Sequence, residues 1–489
     1  MLGFVDETFR DGPQSLWATR MNTASMLGAA QWSNEAGFRK VCVTSGAAVE
    51  TAVRFLHDDP WERIRLLHRF MPDATIDVLV RSRNLFGWAR YPDEVIELLF
   101  HALRRAGVQW LKVFDGLNDI DNIAACFRIG KALGFQMSGM LTFSLSPVHT
   151  DDYFAAKARQ LVDCGVDSIT MGDASGLMTG ARTKTLLTAL KTAIGGRVPI
   201  EFLAHHTMGL AHESYREAML AGVDTVATAS VPLANGESLP STLDVLEIAD
   251  GLGIQSNLDI DAVRRIDDYF HWIAYKEGRS IEGPVDYDPL RYEAFAGHQI
   301  PGGMMSNFRN QLREVGLMHR IDEVLDEASR VRAELGYPVM VTPFSQFVGV
   351  QATFNVIQGE RYKTIPKELY LYALGHYGKP AAPIDPDVLD RVLKGKADKP
   401  IDASEVFGAR ILDTFRREQG PFRSDEELLL TLFYGKEAVA TLAREKSRFA
   451  QRPSIGQPLR VLIEELARER GLKSIALEKG PVKLHFSYA

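Results

Sequence analysis

Short apolar runs alternate with longer amphipathic stretches over the first half of the chain. The amphipathic stretches repeat apolar residues at helical spacing, as in residues 92–107, where Val95, Leu98, Leu99 and Leu103 share one face and Gly107 closes the end. The stretch after the second run is the least regular. The apolar runs have the length and composition of buried strands. In chain order these runs are 4–9, 40–43, 75–80, 110–114, 136–143, 167–171, 199–203 and 225–229.

This alternation predicts an α/β fold in which eight parallel strands close into a (β/α)8 TIM barrel. Eight strand–helix units suit a closed barrel better than an open doubly wound sheet, and no Gly-x-Gly-x-x-Gly follows the first run. Right-handed crossovers place the carboxyl ends of all strands at one rim. We therefore expect the chemistry of the protein at that rim, which is the mouth of the barrel.

The alternation stops after residue 255, so the sequence predicts three parts. Residues 1–255 form the barrel domain, 256–378 form a helical annex that packs on the barrel, and 379–489 form a smaller C-terminal module with a strand-like tail. Long helical patterns mark the annex at 307–317, 320–336 and 367–378. The proline-rich stretch 379–388 predicts a linker, because proline does not continue a helix.

Composition narrows the class of protein. The 489 residues are 46% hydrophobic and 24% charged, with a formal net charge of −7 and without a long basic stretch, which argues against nucleic-acid binding. Neither a secretory signal nor an apolar membrane-spanning segment is visible. The three separated cysteines fit a reducing compartment. We therefore expect a cytoplasmic protein that binds neither membranes nor nucleic acids.

Charged side chains crowd the end of the first strand. The segment DETFRDGPQS places Asp6, Glu7, Arg10, Asp11 and Gln14 at the end of a buried strand, at the predicted mouth. A solvated surface loop would also contain charges. A charged cluster that follows a barrel strand is more often a functional site.

Two further strands end in residues that can bind a metal or move a proton. The sixth run leads into MGDASG, which carries Asp173, and the seventh leads into LAHHTMG, which carries His205 and His206. Histidine and aspartate from separate strands can hold a divalent metal. A hydrogen-bonded histidine pair with one buried ring is the alternative, and the sequence leaves both open.

Several segments together resemble one enzyme family. DETFRDGPQSLWATRM, RFLHDDPWERIRLLHRFMP, LVRSRNLFGWARYPDEV, KVFDGLNDIDNI, SPVHT, GDASGLMTG, HQIPGGMMSNF and VTPFSQFVGVQATFNV are similar to the carboxyltransferases of biotin-dependent carboxylases, in order along the whole chain. This family includes the transferase domain of pyruvate carboxylase, oxaloacetate decarboxylase alpha chains and the pyruvate-side subunit of transcarboxylase. The resemblance implies a barrel-mouth metal and basic side chains that hold pyruvate, whose enolate exchanges CO₂ with carboxybiotin. It also implies that 379–489 is a carboxylase-type module.

The resemblance assigns roles to individual positions. Asp11 stands where the family has its first metal ligand, and Arg10, Gln14 and Arg81 match residues that hold the substrate. Arginine suits this role because its planar fork pairs with a carboxylate through two hydrogen bonds. Ser306 stands where the family has a hydroxyl group that shuttles protons to and from biotin.

The sequence departs from the family at the metal. Gly172 replaces the carbamylated lysine that precedes Asp173, and Leu203 replaces the first histidine of a His-x-His element in which His205 remains. The acidic-aromatic-glycine element after the second strand is replaced by CVTSG at 42–46. With two of four protein ligands changed, Asp11 and His205 are too few for a tight site unless His206 or Asp173 contributes.

We therefore predict no tightly bound cofactor, and at most a weak divalent metal at a vestigial site. Biotin would come from a separate carrier protein, because the chain contains no Met-Lys motif of the kind that carries biotin. Without a Gly-rich phosphate-binding loop, nothing in the sequence indicates an ATP-using carboxylase half. The expected partners are a small carboxylate substrate and either a second copy of the chain or a paralogous carboxylase-type subunit. The candidate catalytic residues are Arg10, Asp11, Gln14, Arg81, His205, His206 and Ser306, the substrate-binding residues are Arg10, Gln14, Arg81 and Asp173, and the weak metal ligands are Asp11 and His205.

Three functions remain open. The first is a diverged carboxyltransferase, decarboxylase or other carbon–carbon lyase acting on a small keto acid or related carboxylate, which the retained Arg10, Gln14, Arg81 and Ser306 favour. The second is a non-catalytic structural subunit. The third is a metal-independent hydrolase or lyase that uses His205 or His206 as general base, since the pKa of histidine lies near neutral pH.

Overall fold

A computed structural model of the chain shows a closed eight-stranded parallel barrel. The structure describes residues 1–300, 305, 309, 312–313, 316, 318–394, 403–449, 474–479 and 482–487. Each barrel strand pairs with its neighbours in sequence, and β8 closes the barrel against β1. The strands are β1 (Gly3–Asp6), β2 (Lys40–Ser45), β3 (Ile76–Arg81), β4 (Trp110–Phe114), β5 (Gln136–Thr142), β6 (Ser168–Asp173), β7 (Ile200–Ala204) and β8 (Thr225–Thr228).

All eight strands lie where the hydrophobic pattern predicts them, and the fold class is confirmed. The largest difference lies at the first strand, which ends at Asp6 rather than at residue 9. The side chain of Asp6 accepts a hydrogen bond from the backbone N–H of Thr8 at 2.9 Å, which turns the chain out of the strand. The charged cluster that follows therefore sits on a turn at the mouth.

Helices surround the barrel. The helix after β2 is irregular, as the sequence predicts, because α4 (Gly46–Thr51) continues into a π-helical turn at Ala52–Leu56. In chain order the helices of the first 300 residues are α1 (Asp11–Leu16), α2 (Thr23–Leu27), α3 (Ala30–Glu35), α4 (Gly46–Thr51), α5 (Pro60–Phe70), α6 (Asp93–Arg105), α7 (Ile120–Ala132), α8 (Asp151–Asp163), α9 (Gly180–Ile194), α10 (Ala211–Leu220), α11 (Thr242–Gly251), α12 (Ile260–Glu277) and α13 (Pro289–His298).

Further helices follow the barrel. Those at Ile321–Glu334 and Lys367–Ala373 match predicted annex helices, whereas the predicted helix at 307–317 falls mostly outside the described residues. In the 379–388 stretch a helix does begin, at Pro386, because proline is tolerated in the first turn, where its missing N–H has no partner to lose. The remaining helices are Phe344–Gln358, Pro386–Leu393, Ala403–Gly408, Leu412–Gln419, Asp425–Tyr434 and Lys436–Phe449.

The predicted strand-like tail forms a hairpin. Val482–Ser487 (β10) pairs antiparallel with Ser474–Lys479 (β9), a strand that the hydrophobic pattern did not indicate. No helix in the described part of the chain is long and apolar enough to cross a bilayer.

Two apolar clusters hold the helices in place. The annex helices and the helix Pro386–Leu393 share one cluster, which includes Val331, Phe347 and Val392. The helices Leu412–Gln419, Asp425–Tyr434 and Lys436–Phe449 instead join the main cluster of the barrel, through residues such as Leu429 and Phe433. Part of the C-terminal region therefore packs directly on the barrel.

Candidate functional site at the barrel mouth

Four charged side chains meet where β1 and β7 end. Arg10 donates from Nε to Glu7 Oε2 at 2.8 Å and from Nη1 to Asp11 Oδ1 at 2.6 Å. The other oxygen of Asp11, Oδ2, lies 3.1 Å from His205 Nε2. All four residues are buried. The structure thus joins the predicted site residues Arg10, Asp11 and His205 into one chain of contacts.

These contacts fix the charges of the cluster. Burial alone would raise the pKa of Asp11, but the charges of His205 and Arg10 and the hydrogen bonds from His205 and Ser15 more than offset it, so that pKa lies below its ordinary value. Burial alone would lower the pKa of His205, yet the Asp11 carboxylate raises it. Arg10 has its pKa lowered by burial and raised more strongly by Glu7 and Asp11. The cluster therefore holds an ionised Asp11 and a readily protonated His205.

Arg81, at the end of β3, differs from Arg10 because none of the described residues gives it an acidic partner. Its Nη1 donates to the carbonyl of Gly87 at 2.9 Å, and its guanidinium lies 4.3 Å from the ring centroid of Trp88. Among the described residues no carboxylate comes within ion-pair distance of it. Burial lowers the pKa of Arg81, opposed by the more distant Tyr434 and Glu50. The mouth therefore contains a cation that is positioned but not neutralised.

The loop that carries Trp88 is held by the C-terminal helix Asp425–Tyr434. Trp88 donates from Nε1 to Glu50 Oε2 at 3.1 Å, and Tyr434 donates from its hydroxyl to the carbonyl of Phe86 at 2.8 Å. Phe433 packs edge-on against Phe86 and Tyr91 in the same region. The surroundings of Arg81 therefore depend on residues distant in sequence.

Gln14 lies beside the charged cluster at the ends of β1 and β7. Its Oε1 accepts a hydrogen bond from the Ser45 hydroxyl at 2.8 Å, and that hydroxyl also accepts from the backbone of Ala48 at the start of α4. Gln14 is partly exposed, so its amide N–H groups can serve a ligand. Its position agrees with the substrate-binding role that the sequence predicts, and that role stays a prediction.

Two other predicted site residues make their contacts outside this chain of ion pairs. Asp173 accepts hydrogen bonds from the backbone of Ser175 and Met178, so its carboxylate braces the loop after β6, and burial raises its pKa to about 6. His206 packs at a tilt against His212 of α10 with ring centroids 4.5 Å apart, and burial together with the charge of His212 lowers the pKa of His206 to about 4. Ser306 lies outside the described residues.

Below the mouth, the barrel contains a layer of buried charges. Lys112 of β4 bridges Glu201 at 2.6 Å and Glu7 at 3.0 Å, and Lys40 of β2 bonds the second oxygen of Glu201 at 2.6 Å. Asp77 of β3 lies 3.7 Å from Lys112. Because removing one member of a buried ion pair costs roughly 3–5 kcal/mol, this layer fixes the carboxylate of Glu7 and, through it, Arg10.

The inward side chains of β2 to β5 form an apolar wall next to these charges. Cys42, Leu79 and Met140 are buried together and Phe114 packs on them. Met140 lies over Gly172 of β6, where a Cβ atom would come within 2.2 Å of the Met140 methyl group. Met140 thus fills the space into which a side chain at position 172 would project.

Among the described residues, those at the mouth do not provide the ligand set of a tightly bound divalent metal. The described part of the chain holds no group of three or more His, Cys, Asp or Glu side chains that could bind an ion. Leu203 packs with Val5, Ala227 and Leu239 inside the barrel. Asp11 and His205, the two candidate ligands, satisfy each other.

Some residues of the barrel interior that we did not predict could have been identified from the sequence. Lys40, Asp77, Lys112 and Glu201 are charged residues within strands that are otherwise apolar, and each occupies an inward position. A charge at such a position predicts a buried ion pair across the barrel. Met140 carried no such signal, because a methionine in a strand is ordinary core.

Comparisons with known proteins agree with this architecture. Residues 296–474 match the family described as "Conserved carboxylase domain". The chain is 36% identical over 482 residues to one of the pyruvate carboxylase subunits of Methanocaldococcus jannaschii, a match that covers 97% of this chain and 83% of the relative. It is 36% identical over 400 residues to the methylmalonyl-CoA carboxyltransferase 5S subunit of Propionibacterium freudenreichii subsp. shermanii, covering 82% and 78% of the two chains.

The fold has a close counterpart among solved structures. The carboxyl transferase domain from Rhizobium etli pyruvate carboxylase, solved with pyruvate, superimposes with a TM-score of 0.83 at 26% identity, covering 92% of this chain and 78% of that one. The eight-stranded barrel and the similarity along nearly the whole chain lead to one conclusion. This chain belongs to the carboxyltransferase family of biotin-dependent carboxylases.

Proposed function

We propose that this protein performs carboxyltransferase-type chemistry on a small carboxylate, and that Arg81 holds the substrate carboxylate without the help of a tightly bound metal. One observation carries the proposal: Arg81 is fixed by Gly87 and Trp88, yet no carboxylate neutralises it within the described residues. A partly buried guanidinium that has no anion beside it loses hydration, and no ion pair compensates for that loss. A bound substrate carboxylate supplies the missing charge through two hydrogen bonds.

The neighbouring residues suit a reaction at the carbon beside a ketone. Removing a proton from that carbon leaves an enolate, whose negative charge Arg81 can stabilise in a site shielded from water. Arg10 contributes less, because Glu7 and Asp11 already balance its charge. His205, held by Asp11, is the group in this cluster that can release or accept a proton.

The carboxyl group and its carrier would come from other polypeptides. The relatives from Methanocaldococcus and Propionibacterium are both named as subunits, which supports a role in a carboxylase-type assembly. We propose that a separate biotin carrier docks at the mouth. We also propose that the chain associates with a second copy or a paralogous subunit.

A non-catalytic subunit is the second candidate. It is favoured by Met140 and Leu203, which occupy the space of two family ligands with apolar atoms. The two functions differ in whether the mouth still activates a carbon–hydrogen bond. A general base at His206 has little support, since that ring packs against His212 and burial lowers its pKa.

Proton exchange in heavy water separates these functions. The purified chain is incubated with pyruvate or 2-oxobutyrate, and loss of the proton signal at the carbon beside the ketone is followed by NMR. We expect exchange above the buffer rate, abolished in Arg81→Ala and partly kept in Arg81→Lys, which retains the charge but loses the planar fork.

The matched control is Arg104→Ala. Arg104 is exposed near the end of α6, at the rim opposite the mouth, so this variant loses the same charge without touching the site. It should exchange like the natural protein. If the natural protein and both Arg81 variants exchange at the buffer rate, and no carboxylate raises the melting temperature of the natural protein, the proposal fails and the non-catalytic subunit takes its place.

A further inference from the structure

The wall beside Arg81 is apolar. In the barrel register Arg81 of β3 pairs with Phe114 of β4, and Phe114 pairs with Met140 of β5. The three residues are therefore side-by-side neighbours on the inner face of the barrel. Leu79, two residues before Arg81 on the same strand, faces the same interior one level deeper.

This wall is open to the mouth. Leu79 and Met140 are 8% and 7% exposed, while the outward-facing residues of the same strands, such as Val80 and Leu141, are 0% exposed. The outward faces are covered by helices, so the accessible surface of the inward residues lies inside the barrel. Phe114 is more exposed than either. A ligand held by Arg81 therefore contacts apolar side chains.

A second negative charge on the ligand would find no partner there. Within the described residues, Arg10 is neutralised by Glu7 and Asp11. Lys112 and Lys40 lie deeper and are engaged with Glu201. A second carboxylate would lose its hydration against the apolar wall or approach the carboxylates around Arg10, and both are unfavourable.

We infer that the site takes 2-oxo monocarboxylates with an apolar substituent, in preference to dicarboxylates and to pyruvate itself. This inference rests on the proposed function, because it assumes that Arg81 binds the carboxylate. The apolar substituent packs on Phe114, Met140 and Leu79, and the carboxylate pairs with Arg81. The apolar wall thus sets the substrate class, and Arg81 sets the orientation.

Titration calorimetry with a graded series tests the inference. The ligands are pyruvate, 2-oxobutyrate, 2-oxopentanoate and 4-methyl-2-oxopentanoate, with oxaloacetate and 2-oxoglutarate as dicarboxylates. Each methylene group buried on the wall should tighten binding by about fourfold, until the wall is covered. Both dicarboxylates should bind more weakly than the monocarboxylate of the same chain length.

A variant assigns the preference to the wall. Met140→Gln keeps the length of the side chain and places an amide on the wall, so it should flatten the gain in affinity per methylene group. The control is Leu220→Gln on α10, where Leu220 is 54% exposed away from the mouth, and it should behave like the natural protein.

The possible outcomes distinguish failure of this substrate preference from failure of the proposed function. Equal or tighter binding of the dicarboxylates, a flat monocarboxylate series, or an unchanged series in Met140→Gln overturns the inference and leaves the proposed function standing. Arg81→Ala should bind no member of the series. If the natural protein also binds none, the proposed function fails, and the inference falls with it.

Discussion

The contact between Met140 and Gly172 predicts a measurable coupling between these two positions. A Cβ atom at position 172 would lie 2.2 Å from the Met140 methyl group, closer than real Cβ contacts come. Gly172→Ala alone must push Met140 aside, which costs about 1 kcal/mol, the low end for overpacking, because the displaced atom ends a flexible side chain. Met140→Ala alone leaves a cavity and costs roughly 2–5 kcal/mol.

Together the two changes should compensate, since the new methyl group enters space that Met140 has vacated. We expect the double variant to be more stable than the sum of the single effects predicts, by about 1 kcal/mol. Urea unfolding of the four proteins, followed by tryptophan fluorescence, gives the coupling energy. Additive effects within about 0.5 kcal/mol would refute the claim that Met140 fills the place of a side chain at position 172.

Three further predictions concern the metal, the pH dependence of stability and the oligomeric state. Elemental analysis should find no stoichiometric zinc, manganese or cobalt in the purified protein, and gain of a tight site should require Gly172→Lys, Leu203→His and Met140→Ala together; about one ion per natural chain would contradict this. Burial raises the pKa of Asp6 from 3.8 to about 6, so the folded chain binds its proton more tightly and stability falls as pH rises through that window. Asp6→Asn, which keeps the acceptor for Thr8, should be more stable than the natural protein above pH 6 by an amount of order 3 kcal/mol and should lose this advantage below pH 3.8, as measured by unfolding at both pH values. Light scattering should show a dimer, and a species of only 54.4 kDa at working concentrations would contradict that expectation.

The barrel could be predicted because its signal is periodic. Each of the eight strands is a short apolar run followed by a helix, and such a local pattern is enough to indicate which type of element forms. The end of the first strand was less predictable, because a single hydrogen bond from Thr8 to Asp6 decides it. The sequence also could not predict that some C-terminal helices pack on the barrel. Apolar residues such as Leu429 and Phe433 give the same pattern whether their helix packs on the annex or on the barrel.

The site was predictable in part. Position along the chain was enough to predict that Arg10, Asp11 and His205 lie at one rim, because parallel strands end at the same side of the sheet. Alternation along a strand predicts that His205 and His206 face opposite directions, but position alone could not decide which of the two joins the cluster. Nor could it show that no described carboxylate pairs with Arg81, because that depends on contacts among several loops.

Whether Arg81 binds a substrate carboxylate without a metal can be seen in a crystal structure of the protein grown with 4-methyl-2-oxopentanoate, with anomalous scattering recorded to detect metal ions. We expect the carboxylate within hydrogen-bond distance of the Arg81 guanidinium and the apolar end of the ligand against Phe114 and Met140. Between Asp11 and His205 we expect a hydrogen bond rather than a metal. A metal ion bound by Asp11 and His205, or a ligand bound away from Arg81, would contradict these expectations.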